Sequence, residues 1–209
     1  MVSSKFIAGL WFGVLLATGC NQRTFDPDWT QINAPATFTA RFETTKGDFE
    51  VEVNRQYCPY AADRFYQLVK SGYFDNGIFY RVVPDFVAQF GNTHIAEMEQ
   101  WRKFIIPDEP VKLRNTRGTL SFARFGKESR DLEVFINLND NAVLDTLEQG
   151  GVRGFPAFGR VVRGMETIDE LYSDYGEKTM SDGRLYSDRA AFQKKFDRLD
   201  MIIKAYVVE

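Results

Sequence analysis

The sequence predicts a mainly β protein, a closed antiparallel barrel with helical caps. Many short runs alternate apolar and polar residues, which is typical of half-buried strands. Two or three longer stretches instead carry the 3.6-residue period of amphipathic helices. The chain has 209 residues, of which 44% are hydrophobic, enough for one domain with a sizeable core. Many short strands together with two or three helices favour this architecture.

The elements are predicted in the following order. Residues 37–53 form a β-hairpin around a Lys46-Gly47-Asp48 turn. A helix follows over 59–71, because Pro59 suits a first helical turn and Gly72 suits the position after the last. Further helices are predicted at 165–175 and 188–198, and further strands at 78–90 with a break at Pro84-Asp85, 119–123, 133–137, 157–163 and 201–208.

Composition and charge exclude several classes of function. The chain has 26 basic and 29 acidic residues, a net charge of −3 and a pI near 5.4, so it lacks the basic surplus of a nucleic-acid binder. His94 is the only histidine, and Cys20 and Cys58 are too few for a disulfide scaffold or a cysteine zinc site. No phosphate loop, dinucleotide fingerprint or His-Glu-x-x-His motif occurs. We therefore expect neither metal nor cofactor.

The first residues predict export and a lipid anchor. Lys5 precedes an apolar stretch over 6–17 that is short for a membrane span but suits a signal peptide. The following Ala17-Thr18-Gly19-Cys20 resembles the cleavage box of bacterial lipoproteins. That resemblance implies a signal peptide over 1–19, lipidation of Cys20 and a periplasmic location, with Asn21 favouring the outer membrane. Ordinary secretion and an uncleaved anchor are the alternatives.

Residues 20–36 are predicted to be a flexible tether, because they contain polar residues and two prolines without periodicity. The folded domain is then expected over 37–209.

Residues 79–89, FYRVVPDFVAQ, resemble the F-x-R-V-x-P-x-F-x-x-Q signature of cyclophilins. Segments 117–124, 133–138, 140–145 and 157–165 resemble further blocks of that family in the same order. The resemblance covers about residues 40–208 and implies a cyclophilin-like closed eight-stranded antiparallel β-barrel with two capping helices. Residues 177–199 exceed the short link of a minimal member, so they are predicted to be an extra C-terminal helical insertion. Local packing and a partner surface are both open as its role.

Cyclophilins are peptidyl-prolyl cis-trans isomerases, so the resemblance implies an enzyme acting on Xaa-Pro bonds of proline-containing polypeptides. It implies Arg81 as the catalytic donor, and an arginine suits this role because it is permanently charged and planar. Gln89 is expected to orient Arg81 and hold the substrate backbone. The remaining substrate-binding positions implied by the resemblance are Phe86, Val87, Ala123, Glu133, Phe135, Leu144 and Phe155.

Several of these positions depart from the family pattern. Glu133 stands where Gln is usual and Arg124 where Asn is usual, so we expect Glu133 to pair with Arg124 or to compete for Arg81. Val87 replaces Met, Phe155 replaces His or Tyr, and Val143 replaces a Trp whose indole N–H donates to cyclosporin in the family. We expect a monomeric isomerase that assists the folding of exported proteins. The alternative is a catalytically weak peptide-binding or scaffold module of the cell envelope.

Overall fold

The computed structural model describes residues 25–92 and 95–208. The strands are β1 (Thr37–Thr44), β2 (Gly47–Asn54), β3 (Ile78–Val83), β4 (Val87–Gly91), β5 (Thr119–Phe122), β6 (Val134–Asn137), β7 (Glu148–Gln149), β8 (Val152–Arg153), β9 (Ala157–Arg163) and β10 (Ile202–Val208). The helices are α1 (Pro59–Ser71), α2 (Ile95–Arg102), α3 (Met165–Asp169) and α4 (Arg189–Lys195). Short 3-10 helices occupy Pro27–Gln31, Ala142–Asp145, Gly176–Thr179 and Gly183–Leu185.

Eight strands form one curled antiparallel sheet in the order β10-β1-β2-β9-β5-β6-β4-β3, and β7 and β8 form a separate small hairpin. The expected closed barrel is only partly confirmed. Within the described ranges, the edge strands β3 and β10 meet at one isolated bridge, between Ile78 and Met201. The pairing of β3 with β4 then becomes irregular between Ile78 and Arg81, and such an irregularity bends a strand away from its neighbour. The sheet is therefore a half-barrel.

The predicted hairpin and first helix are confirmed. In β1 and β2 alternate residues are buried, which gives the sheet an inner apolar face. Helix α1 covers this face, and its Phe65 ring lies 6.4 Å from that of Phe38 and 6.0 Å from that of Phe42. Gly72 ends α1 in the left-handed conformation with φ of 75°, which glycine adopts without strain.

Part of the predicted tether is folded onto the domain. Phe25 and Trp29 pack on the ring of Trp101 in α2, a helix that the sequence analysis did not predict. The Ala34 N–H donates to the Asp63 carboxylate at 2.8 Å. The assignment of residues 25–36 to a flexible tether is wrong, because their aromatic side chains find a buried partner in a distant helix. The signal peptide, Cys20 and His94 lie outside the described residues.

The predicted insertion, residues 177–199, is partly helical, but its helices are shorter than predicted. It consists of two 3-10 helices and α4, and it buries Leu185, Phe192 and Phe196 against Ile78 and Tyr80 of β3. Helix α3 ends at Asp169 rather than continuing to 175. The Tyr172 N–H beyond its end donates to the Asp200 carboxylate at 2.7 Å, which takes the place of a helical acceptor.

Candidate active site

An apolar cluster separate from the main core lies on the outer side of the sheet. Neighbouring strands β4 and β6 present alternate residues to it, since Val87 and Gln89 share one side of β4 while Ala88 and Phe90 face the main core. Its buried members are Val87, Phe135, Leu144 and Phe155, and Phe86 and Ala123 pack at its edge. All of the apolar residues predicted for the proline pocket are therefore brought together.

Phe155 joins this cluster from a loop. Its ring lies 6.0 Å from that of Phe135 in an edge-on arrangement, and its N–H donates to the carbonyl of Leu144 at 2.7 Å. Edge-to-face rings attract each other because the positive edge of one meets the negative face of the other. The wall of the pocket is thus held by backbone hydrogen bonds as well as by packing.

Arg81 lies beside this pocket. Phe79 and Val82 of β3 belong to the main core, whereas Tyr80 and Arg81 between them do not, as expected at a strand irregularity. The Arg81 Nη1 donates to Gln89 Oε1 at 3.0 Å, and the guanidinium carbon lies 5.5 Å from the centroid of the Phe86 ring. The irregularity in β3 therefore directs a guanidinium toward the edge of the apolar cluster.

A carboxylate that the sequence analysis did not identify binds Arg81. Glu177, in the 3-10 helix Gly176–Thr179 of the insertion, accepts from Arg81 Nε at 2.9 Å and from Nη2 at 2.6 Å. The two residues are 96 positions apart, so no local sequence pattern indicates the pair. The carboxylate next to the guanidinium is thus Glu177 and not Glu133.

Glu133 occupies a different environment from the one predicted. Its side chain is buried, and burial raises its pKa, while interactions with the nearby Tyr186 and Tyr80 hydroxyls offset part of this rise. Among the described residues it forms no ion pair with Arg81 or Arg124, so both predicted pairings are wrong. The reason is geometric, since Glu133 precedes β6 and its side chain packs toward Tyr80 and the insertion. A contact between Glu133 and substrate stays a prediction.

Arg124 instead supports the pocket wall. Its guanidinium carbon lies 5.0 Å from the centroid of the Phe155 ring, and its Nη2 donates to the carbonyl of Gly154. Asp108 is its acidic neighbour at 3.5 Å. Burial lowers the pKa of Arg124, and Asp108 opposes that effect. An arginine in place of the usual asparagine therefore stacks beneath Phe155, which itself replaces a polar residue.

A buried network of asparagines holds the backbone around the pocket, and the sequence analysis missed it. Asn115 donates from its amide to the carbonyl of Phe155 at 2.8 Å, and Asn141 donates to the carbonyl of Phe86 at 2.7 Å. Asn137 joins them, since it donates to Asn115 Oδ1 at 3.1 Å and accepts from Asn141 at 2.8 Å. A signal was present: Asn137 ends an otherwise apolar strand, and a buried amide requires partners.

No group of three or more potential metal ligands occurs in the part of the chain that the structure describes. The site places the Arg81 guanidinium and the Gln89 amide at the edge of the apolar cluster. This sheet order, together with a pocket and an arginine on its outer face, defines the cyclophilin class.

Comparisons with known proteins agree with this class. The family described as cyclophilin type peptidyl-prolyl cis-trans isomerase matches residues 39–189. Peptidyl-prolyl cis-trans isomerase A of Dickeya dadantii is 38% identical over 135 residues, which cover 61% of this chain and 67% of that protein. Peptidyl-prolyl cis-trans isomerase B of Escherichia coli is 32% identical over 138 residues, which cover 62% and 81%.

Solved structures show the same fold. A cyclophilin type peptidyl-prolyl cis-trans isomerase of Cryptosporidium parvum aligns with a TM-score of 0.61 at 22% identity, covering 83% of this chain and 98% of that one. The chain thus belongs to the cyclophilin family. It is a cyclophilin-type peptidyl-prolyl cis-trans isomerase, as the resemblance of its motifs implied.

Proposed function

We propose that Arg81 is the catalytic residue of this isomerase and that the apolar cluster beside it binds the substrate proline. The observation that carries this proposal is the position of the guanidinium, which Gln89 holds at 3.0 Å next to Phe86 at the edge of the cluster. A proline ring is apolar and its nitrogen carries no hydrogen, so an apolar pocket flanked by one donor is complementary to it.

The chemistry requires no bond cleavage. A peptide C–N bond has partial double-bond character, and its rotation barrier is about 18–20 kcal/mol. As the bond twists, the nitrogen lone pair localises, and an N–H donor from Arg81 stabilises it more than it stabilises the planar ground state. Gln89 orients the donor, and the ring of the substrate proline is held by Phe86, Val87, Phe135, Leu144 and Phe155, with Ala123 on the other side of the peptide.

A cis-trans assay on a short Xaa-Pro peptide tests this assignment. We expect Arg81→Ala to lower kcat/KM by about 10²–10³, the usual effect of removing one preorganised donor, which corresponds to about 3–4 kcal/mol. Arg81→Lys should also lose most of the activity, because an ammonium group cannot reproduce the planar fork. Circular dichroism checks that both variants are folded. Near-wild-type kcat/KM in folded Arg81→Ala would refute the assignment.

A weakly catalytic peptide-binding module is the second candidate. It is favoured by the commitment of Arg81 to two partners, Gln89 and Glu177. It is also favoured by two departures from the family pattern, a carboxylate in place of an amide at Glu133 and the loss of a polar side chain at Phe155. The same assay separates the two functions. A module of this kind would bind the proline peptide while leaving its exchange rate at the uncatalysed value.

We also propose that the enzyme acts on exported proteins from a lipid anchor at Cys20, facing the periplasm. The support is the sequence of residues 1–20 alone. No helix in the described ranges is long and apolar enough to cross a membrane. Phe25 packs on the domain, so five residues at about 3.6 Å each limit the distance from Cys20 to roughly 18 Å. The domain would then work close to the membrane surface.

Metabolic labelling with a fatty acid tests the anchor. The wild-type chain should be labelled and should sediment with membranes, and Cys20→Ser should lose both properties. Cys58→Ala is the matched control, because Cys58 is buried and should not affect labelling. An unlabelled wild-type protein would rule out the anchor.

A further inference from the structure

The insertion supplies a second partner for the guanidinium beside the pocket. Arg81 has five N–H donors, and the structure engages three of them: Nε and one hydrogen of Nη2 with Glu177, and one hydrogen of Nη1 with Gln89. The two partners hold different nitrogens. The guanidinium therefore cannot rotate about its Cδ–Nε bond without breaking at least one hydrogen bond, and one N–H on each terminal nitrogen remains available.

The Arg81–Glu177 ion pair matters for the orientation of the guanidinium more than for the folding stability of the protein. The side chain of Glu177 is 60% exposed and that of Arg81 is 20% exposed. Ion pairs with this much solvent access contribute little to folding, because water screens the charges. A bidentate pair nevertheless orients the fork, since two hydrogen bonds from neighbouring nitrogens to one carboxylate restrict its rotation more than one would.

The segment that carries Glu177 is itself anchored. Thr179, in the same 3-10 helix, is fully buried, and Tyr175 just before it packs on Phe196 at 5.1 Å. Phe196 belongs to the cluster that attaches the insertion to Ile78 and Tyr80 of β3. The backbone on which Glu177 sits is thus packed against the strand that carries Arg81. A carboxylate held in this way can orient its partner, whereas one on a free loop would only follow it.

We propose that Glu177 is a positioning residue for prolyl isomerisation, through which the insertion fixes the guanidinium of Arg81 toward the substrate. The proposal rests on the proposed role of Arg81. It gives the insertion a function in addition to packing. The segment packs on β3, and its Glu177 also binds the guanidinium of Arg81. Its physical basis is preorganisation: a donor that is already oriented loses less freedom when the transition state forms.

The test measures kcat and KM on a proline peptide for the full chain and five variants. Glu177→Ala should lower kcat/KM about tenfold, which equals about 1.4 kcal/mol, through kcat rather than KM. Glu177→Gln retains one acceptor oxygen and should show a smaller loss. Glu170→Gln is the matched control, because this exposed carboxylate forms no ion pair among the described residues, and its activity should equal that of the wild type.

The double variant Arg81→Ala/Glu177→Ala distinguishes positioning from a general structural role. If Glu177 acts only through Arg81, the second substitution should cause no further loss in the Arg81→Ala background. The Arg81 Nε–H signal in nitrogen-15 NMR provides a readout besides activity. Its hydrogen should exchange slowly with water in the wild type and faster in Glu177→Ala.

Three results would overturn the proposal. Wild-type or higher activity in Glu177→Ala would mean that the carboxylate is idle or competes with substrate. An equal loss in both backgrounds would mean a structural role. A wild-type protein without activity above the uncatalysed rate would refute the proposed function itself, and with it the positioning role. If Arg81→Ala loses activity while Glu177→Ala retains it, the positioning role fails and the proposed function of Arg81 stands.

Discussion

Phe192→Ala should destabilise the protein strongly, because Phe192 is the centre of the cluster that attaches the insertion to the sheet. The side chain is fully buried and its ring lies 4.8 Å from that of Phe196. Truncation of a buried phenylalanine costs about 3–5 kcal/mol, since transfer energy is lost and a cavity remains. For a domain of this size each kcal/mol lowers Tm by about 2–4 °C, so we expect a decrease of roughly 6–20 °C.

The assay is thermal unfolding followed by circular dichroism, together with kcat/KM well below the transition. Because Glu177 lies on the same insertion, weakening its attachment to β3 should also lower kcat/KM toward the value for Glu177→Ala. Phe125→Ala is the matched control, because it removes the same atoms from a ring that is 73% exposed. Its free energy of unfolding should change by no more than about 0.5 kcal/mol. A Phe192→Ala variant with the Tm of the control would refute the argument that this cluster holds the insertion.

Three further predictions concern buried or substituted groups. Burial raises the pKa of Glu133 above its ordinary value near 4.3, so its ionisation costs stability as pH increases. The free energy of unfolding of Glu133→Gln relative to the wild type, measured in urea, should therefore increase between about pH 4 and 7. A difference that stays constant with pH would contradict this. Burial and the neighbouring Glu109 carboxylate raise the pKa of Cys58 to about 12, so its thiol should not react with a thiol reagent at pH 8 until the protein unfolds, as mass mapping would show. Val143 is 59% exposed and has no donor, so cyclosporin should bind weakly, and Val143→Trp should increase the affinity in calorimetry; tight binding by the unmodified protein would argue against the reasoning.

Elements whose determinants are local were predicted from the sequence almost to the residue. Alternation along 37–53 predicted the β1–β2 hairpin, and a proline at the start with a glycine at the end delimited α1. The pocket residues were assigned through the cyclophilin motifs, and the structure brings them together. The reason is that strand alternation, helix caps and a contiguous motif are properties of neighbouring residues.

Only the tertiary structure decided which charged groups meet. Glu177 reaches Arg81 across 96 positions, whereas Glu133 is buried near Tyr186 and forms no ion pair with Arg81 among the described residues. Likewise, residues 25–36 have the composition of a tether but dock on Trp101, which lies in a helix that the sequence did not reveal. A carboxylate is drawn to whichever cation the fold places within a few ångströms, and that distance depends on the path of the whole chain. The sequence therefore determined the β1–β2 hairpin, α1 and the residues of the apolar cluster, while the fold determined how Arg81 is held.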